Sequence, residues 1–226
     1  MSHEDEITAA LKTHSISDIV AERMARDPEY AEYIRQTRVA MQPILDDLAK
    51  IGYKIDWLSD LRRKKSWATA IPILLDWLPR IKHRNLELDI IRCLSVPWTG
   101  SKATGYFIEK FTKVAELDPQ YAWVIGNALS IVDVTGCERA IISLCRNSRF
   151  GSARQMVVIA LHRIADPDAE NTALDLLDEN DVRLHAIIAL GKMKSKRALF
   201  QLEKLLADKN PAIRKEARKA ITKIMR

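Results

Sequence analysis

A chain of 226 residues with 47% hydrophobic and 29% charged side chains has the size and composition of one large or two small soluble globular domains. Seven Gly and eight Pro are too few turn formers for an all-β protein of this length, so long helices with short connections are expected. The net charge of +6 is unevenly placed: residues 183–226 hold thirteen Lys or Arg against Glu203, Asp208 and Glu216, a net of +10, and the remainder is slightly acidic.

The N-terminus, MSHEDEITAALK, is acidic and lacks the apolar core of a signal peptide. No run reaches the roughly eighteen apolar residues of a membrane span. A cytoplasmic protein with no membrane partner is therefore expected. SISDIVAERMARD reads as a helix capped by Ser15. PEYAEYIRQTRVAMQPILDDLAKIG reads as a long helix that opens on a first-turn proline, ends at Gly52 and is expected to kink at Pro43. YKIDWLSDLRRKK reads as a short further helix. Residues 1–65 carry no repeat and are expected to form an N-terminal helical cap.

From residue 66 onward the chain repeats itself. Small-then-apolar pairs recur at Cys93-Leu94, Ala128-Leu129, Ala160-Leu161, Ala189-Leu190 and Ala220-Ile221, spaced by 35, 32, 29 and 31 residues. Three residues before the small one stand Ile125, Val157, Ala186 and Ala217; four after it stand Val132, Ile164, Met193 and Ile224. Six before it stand Arg154, Arg183 and Arg214, replaced by Glu87 and Ala122 in the first two copies. Each such helix follows another amphipathic one: ATAIPILLDWLP, GYFIEKFTKVAE, CERAIISLCRN, AENTALDLLDE and KRALFQLEKLLAD. The unit is a helix pair that cannot bury its apolar face alone, so five pairs are expected to stack into one continuous core.

NPAIRKEARKAITKI and NDVRLHAIIALGKM resemble the second helices of HEAT repeats, in the short bacterial form related to the phycobilisome-lyase repeats. The resemblance covers about residues 66–226 and is strongest in the last three copies. It implies an all-α fold, a right-handed α-solenoid of about five HEAT-like pairs, with the second helices lining a concave side. It also implies that the aligned arginines serve contacts between repeats. It specifies architecture rather than activity.

With the core register assigned, the remaining second-helix positions can be read as a surface. Arg92, Trp123, Asn127, Gln155 and His162 are the candidate concave patch, with Trp123 and Asn127 one turn apart. Lys192, Arg214, Lys215, Arg218 and Lys219 form a candidate anion-binding set at the last repeat, a reading that competes with a charged end that merely keeps the solenoid soluble. No HExxH, CxxC, phosphate-cradling Gly-rich loop or GxSxG elbow occurs. No metal, cofactor or catalytic residue is therefore assigned among His3, His14, His83, His162, His185 and the three cysteines. Cys93, Cys137 and Cys145 are expected as small buried hydrophobes. The leading expectation is a non-enzymatic scaffold that holds a protein or peptide. The alternative is a nucleic-acid-binding solenoid similar to the HEAT-like alkylpurine DNA glycosylases, in which Asp89 or Asp133 would have to supply the acid that Asn127 lacks. The repeat subtype alone would also imply a bilin lyase or chaperone, and no further residue supports that reading.

Overall fold

The computed structural model describes residues 16–226, so the acidic N-terminal stretch, the Ser15 cap, His3 and His14 lie outside the described residues. Among these residues every regular element is helical. Helix α1 (Ile16–Arg26) is followed by α2 (Pro28–Lys50). Asp27 caps α2 by accepting the Tyr30 backbone N–H at 2.9 Å, and Pro28 occupies a first-turn position where its missing N–H costs nothing. The helix continues through Pro43 as a single element instead of dividing there. The short helix expected around residue 58 is a 3₁₀ turn, Leu58–Arg63. Leu58 and Leu61 are both buried, and the three-residue period brings them onto the same side.

Five helix pairs follow. They are α3 (Ile71–Trp77) with α4 (Arg84–Leu94), α5 (Thr104–Val114) with α6 (Pro119–Leu129), and α7 (Glu138–Arg146) with α8 (Gln155–Ala160). The last two are α9 (Pro167–Asp175) with α10 (Arg183–Met193), and α11 (Leu199–Lys204) with α12 (Pro211–Ile224). The second helices α4, α6, α8, α10 and α12 touch one another in chain order, which is the contact pattern of a solenoid. The small residues of the repeat sit at these contacts: Cys93, Ala128, Ala160 and Ala189 are wholly buried and Ala220 nearly so. A single apolar core runs from Met41 to Ile224.

Two glycines show how close the stacking is. A Cβ on Gly191 of α10 would stand 2.9 Å from Ala220 Cα of α12, and one on Gly126 of α6 would stand 3.1 Å from Val157 Cγ2 of α8. These glycines therefore mark the stripe of each second helix that faces the next. One register of that stripe reads Ile91, Gly126, Val158 and Ile187, all buried.

The aligned arginines join the repeats. Arg154, 1% exposed, donates to the Cys145 carbonyl at the end of its own pair's first helix and pairs with Glu179 in the next pair. Arg183 repeats the pattern, donating to the Leu177 carbonyl at 2.6 Å and reaching Asp208 of the last pair at 3.7 Å. Arg214 donates to the carbonyls of Asp208 and Lys209 at 2.8 and 3.0 Å. In the first pair the polarity is reversed. Glu87, 3% exposed, accepts from Tyr106 Oη and from Lys110 Nζ, both on the following first helix, the lysine at 2.9 Å.

The N-terminal helices lie against the first pair. Trp77 Nε1 donates to Asp47 of α2 at 3.0 Å, and Asn85 Nδ2 donates to Tyr33 Oη. Trp67 Nε1 donates to the Cys93 carbonyl at 2.8 Å, while Cys93 Sγ contacts the Leu58 carbonyl at 3.3 Å. Cys93 and Cys145 are buried, and burial pushes the Cys93 thiol up to about 12; Cys137 is half-buried.

Candidate functional site

Trp123 stands on the first turns of α6, where Asp118 caps the helix by accepting the Tyr121 N–H at 3.0 Å. It is 41% exposed, large for an indole. With Pro119 and Gln120 of the same helix it faces Ser152 and Gln155 of the third pair across an open cavity of about 320 Å³. Gln155 is held there because its Nε2 donates to the Asp181 carbonyl of the fourth pair at 2.9 Å. No charged side chain lines this cavity.

Asn127, one turn along α6, opens into a different cavity of about 270 Å³. Its other walls are Arg62, Trp67, Arg92, Ser95, Val96 and Ile131. Arg92 is exposed but already paired with Asp89 at 3.1 Å. The structure thus brings Trp123 together with Gln155, and Arg92 together with Asn127, in two neighbouring recesses rather than one continuous patch. His162 belongs to neither. It occupies the same register as Gly191, on the stripe facing the next helix, and its Nδ1–H donates to the Ile159 carbonyl at 2.6 Å. Half-burial holds its imidazole below the usual value, with the charges of Lys192 and Arg163 acting in the same direction against the raising effect of that carbonyl.

The candidate anion set also divides. Arg214 has its guanidinium committed to the Asp208 and Lys209 carbonyls, so it is a repeat-joining residue and not an open anion site. Lys219 pairs with Glu216 at 2.5 Å. Lys215, Arg218 and Lys219 line an open cavity of about 390 Å³ with Thr222 and Lys223, all on α12, and with Arg226 just past its end. Arg218 stands in the register of Ile91, Gly126, Val158 and Ile187, which in the earlier pairs is covered by the next helix, and here it is exposed. Lys192, on α10, is not part of the lining of this cavity. Arg163 shares with Lys192 and Lys223 the register three residues after the small one, a row that the sequence reading did not single out. The sequence reading also passed over Trp67, which, like Arg62 of the RRKK run, comes from outside the repeated second helices.

Neither carboxylate considered for glycosylase chemistry faces Trp123. Asp89 is paired with Arg92, and Asp133 accepts the Thr135 N–H at 3.0 Å and its hydroxyl at 2.7 Å. Among the described residues no group of three His, Cys, Asp or Glu gathers as a metal site. No helix is long and apolar enough to cross a membrane among those residues.

Residues 138–222 match the family model for HEAT repeats. That segment of the chain is made of HEAT repeats. The match spans the third, fourth and fifth pairs, the HEAT copies that carry Arg154, Arg183 and Arg214. The two earlier pairs, with Glu87 and Ala122 at that register, extend the same stack beyond the matched segment. No curated protein matches the chain.

Proposed function

We propose that this chain is a binding scaffold that holds a protein or peptide partner along its second-helix face, without chemistry of its own. The observation that carries the reading is Trp123, 41% exposed beside an uncharged cavity whose polar groups are amides and a hydroxyl. Exposed aromatic anchors surrounded by neutral polar groups are a usual composition for the centre of a protein interface. The absence of a carboxylate from that cavity argues against a glycosylase reading. Residues 1–65 serve in this reading as a cap on the first pair, supported by the bonds from α2 to Trp77 and Asn85. Nucleic acid is the second reading, favoured by the net charge of +10 over residues 183–226.

The test is a photo-crosslinking amino acid placed at position 123 in the full chain, with the same group at the exposed Leu117 as control, irradiated in extract of the source cells. A discrete protein adduct formed from 123 and absent from 117 is expected. The Trp123→Ala change should weaken binding of that partner by about 2 kcal/mol or more. A nucleic-acid adduct alone, or no adduct specific to 123, overturns the proposal.

A further inference from the structure

One register of the second helices carries a row of poorly balanced charge. Three residues after the small one stand Val96, Ile131, Arg163, Lys192 and Lys223. The first two form apolar wall of the Arg92–Asn127 cavity, and the last three are exposed cations on consecutive pairs. Gly191 brings two of them together: because α10 and α12 meet backbone to backbone at Gly191 and Ala220, their neighbours Lys192 and Lys223 are held close. Lys192 feels both Lys223 and Arg163, and burial together with those two charges holds its ammonium below the usual lysine value. No carboxylate pairs with Lys192 or Lys223 among the described residues, although the other lysines of the second helices and their neighbours include paired ones such as Lys219 and Lys110. Arg163 is fixed in place by donating to the Ser130 and Ile131 carbonyls, with Asp133 within electrostatic reach.

We propose that Arg163, Lys192 and Lys223 form a strip that binds an acidic segment of a protein partner, with apolar residues of the same segment continuing onto Ile131 and Val96. The proposal rests on the scaffold reading and gives its partner a chemistry and a direction. Folding gains nothing from three like charges in one row, whereas a ligand that neutralises them gains from all three. Two observations favour a peptide over a nucleic acid. The cationic row stops after three pairs and gives way to Ile131 and Val96, where a uniformly charged backbone would set phosphates against apolar walls. Arg92, one of the two arginines in that cavity, is already neutralised by Asp89. Spacing agrees: packed helices lie roughly 8–10 Å apart, and acids at every third residue of a polyproline II segment recur on one face at about 9 Å.

The experiment measures fluorescence anisotropy of a labelled peptide with Glu at every third position over three repeats, followed by a short Leu/Val segment, titrated with the full chain. A duplex DNA of matched charge is the second probe. The Lys192→Gln/Lys223→Gln double variant is expected to lose at least tenfold in peptide affinity, and a Lys54→Gln/Lys102→Gln control to lose none. A gain-of-function arm guards against misfolding: the Lys192→Glu/Lys223→Glu variant should bind the same peptide written with Lys in place of Glu. Duplex binding that depends on the strip while the Glu peptide fails to bind would overturn the proposal in favour of nucleic acid. Equal losses in both double-Gln variants, or no peptide binding and no charge-reversed rescue, would overturn it outright. If the strip fails these tests while the position-123 crosslink still captures a protein, the scaffold reading stands without it.

Discussion

His185 and His162 illustrate what half-burial at a helix contact does to an ionisable ring. The Nδ1 of His185 is buried with no hydrogen-bond partner, and burial holds its imidazole below the ordinary value of 6.5. His162 is lowered as well, chiefly by burial. Both rings bind protons less readily in the folded chain than in the unfolded one. Their stabilising contribution is therefore complete above about pH 6.5 and is lost as pH falls through the lower folded values. Glu170, held below 4.5 by the Ser195 hydroxyl and by Arg197, adds a further loss in more acid solution. The melting temperature should thus fall between pH 7.5 and 5.5, and His185→Leu should flatten that slope. A variant with the full wild-type slope would show that this ring does not couple to folding. The arginines offer a graded comparison. Arg154→Ala should cost on the order of 2–3 kcal/mol, since it strips the buried Cys145 carbonyl of its donor and breaks the tie to the next pair. Arg214→Ala, which breaks only bonds to the half-open link at Asp208 and Lys209, should cost about 1 kcal/mol. Denaturant titration of both would test the order.

At the scale of helices, two glycines of the same residue type should respond with opposite sign. Gly191→Ala drives a methyl into the Ala220 backbone, which cannot give way as a flexible side chain would, and should destabilise by about 1–3 kcal/mol. Gly105, near the start of α5, has nothing within 4 Å of the position a Cβ would take, so Gly105→Ala should stabilise by roughly 0.5–1 kcal/mol. Equal thermal shifts in the two variants would mean that α10 and α12 do not meet as described. The register that exposes this contact was readable in the sequence. Stacked helices demand a small residue at each crossing, and that demand leaves Cys93, Ala128, Ala160, Ala189 and Ala220 at nearly regular intervals. Other features left no such trace. The link into α8 is a 3₁₀ stretch broken at Gly151, whose φ of 47° and ψ of −130° suit glycine alone, and a lone glycine in NSRFGS does not announce that. Glu87 breaks the arginine pattern, but its partners Tyr106 and Lys110 lie on the next pair and are identified only by packing. The candidate face was legible by halves. The sequence sets Trp123 and Gln155 in one register and Arg92 and Asn127 in another, and each couple lines its own cavity. Whether a turn of helix separates or unites them depends on how the pairs lean, which the periodicity does not encode. His162 was assigned to the groove by its offset from Ala160, yet the same offset in the next copy is Gly191, pressed against its neighbour.

For the molecule as a whole, each pair contacts mainly the pairs beside it, so stability is close to a sum of neighbour terms and the ends carry special weight. Cutting the chain after Lys194 removes the last pair and uncovers Ile187 and Gly191, which α12 otherwise helps to cover. Such a truncation should self-associate, and light scattering should give a larger apparent mass per chain than for the intact protein. A truncated chain that scatters like the intact one would argue against α12 as the cover of this stripe. On α12 the same register holds an exposed Arg218, where four earlier copies carry Ile, Gly, Val and Ile. This has a consequence for how such a protein can lengthen over generations. A duplicated inner pair brings its own apolar joint and can be spliced in anywhere along the row. A pair added beyond α12 would have to seat itself on an arginine flanked by Lys215 and Thr222. Insertion is therefore easier between inner pairs than directly beyond α12, and a single Arg218→Ile change is the kind of step that would begin to level that difference.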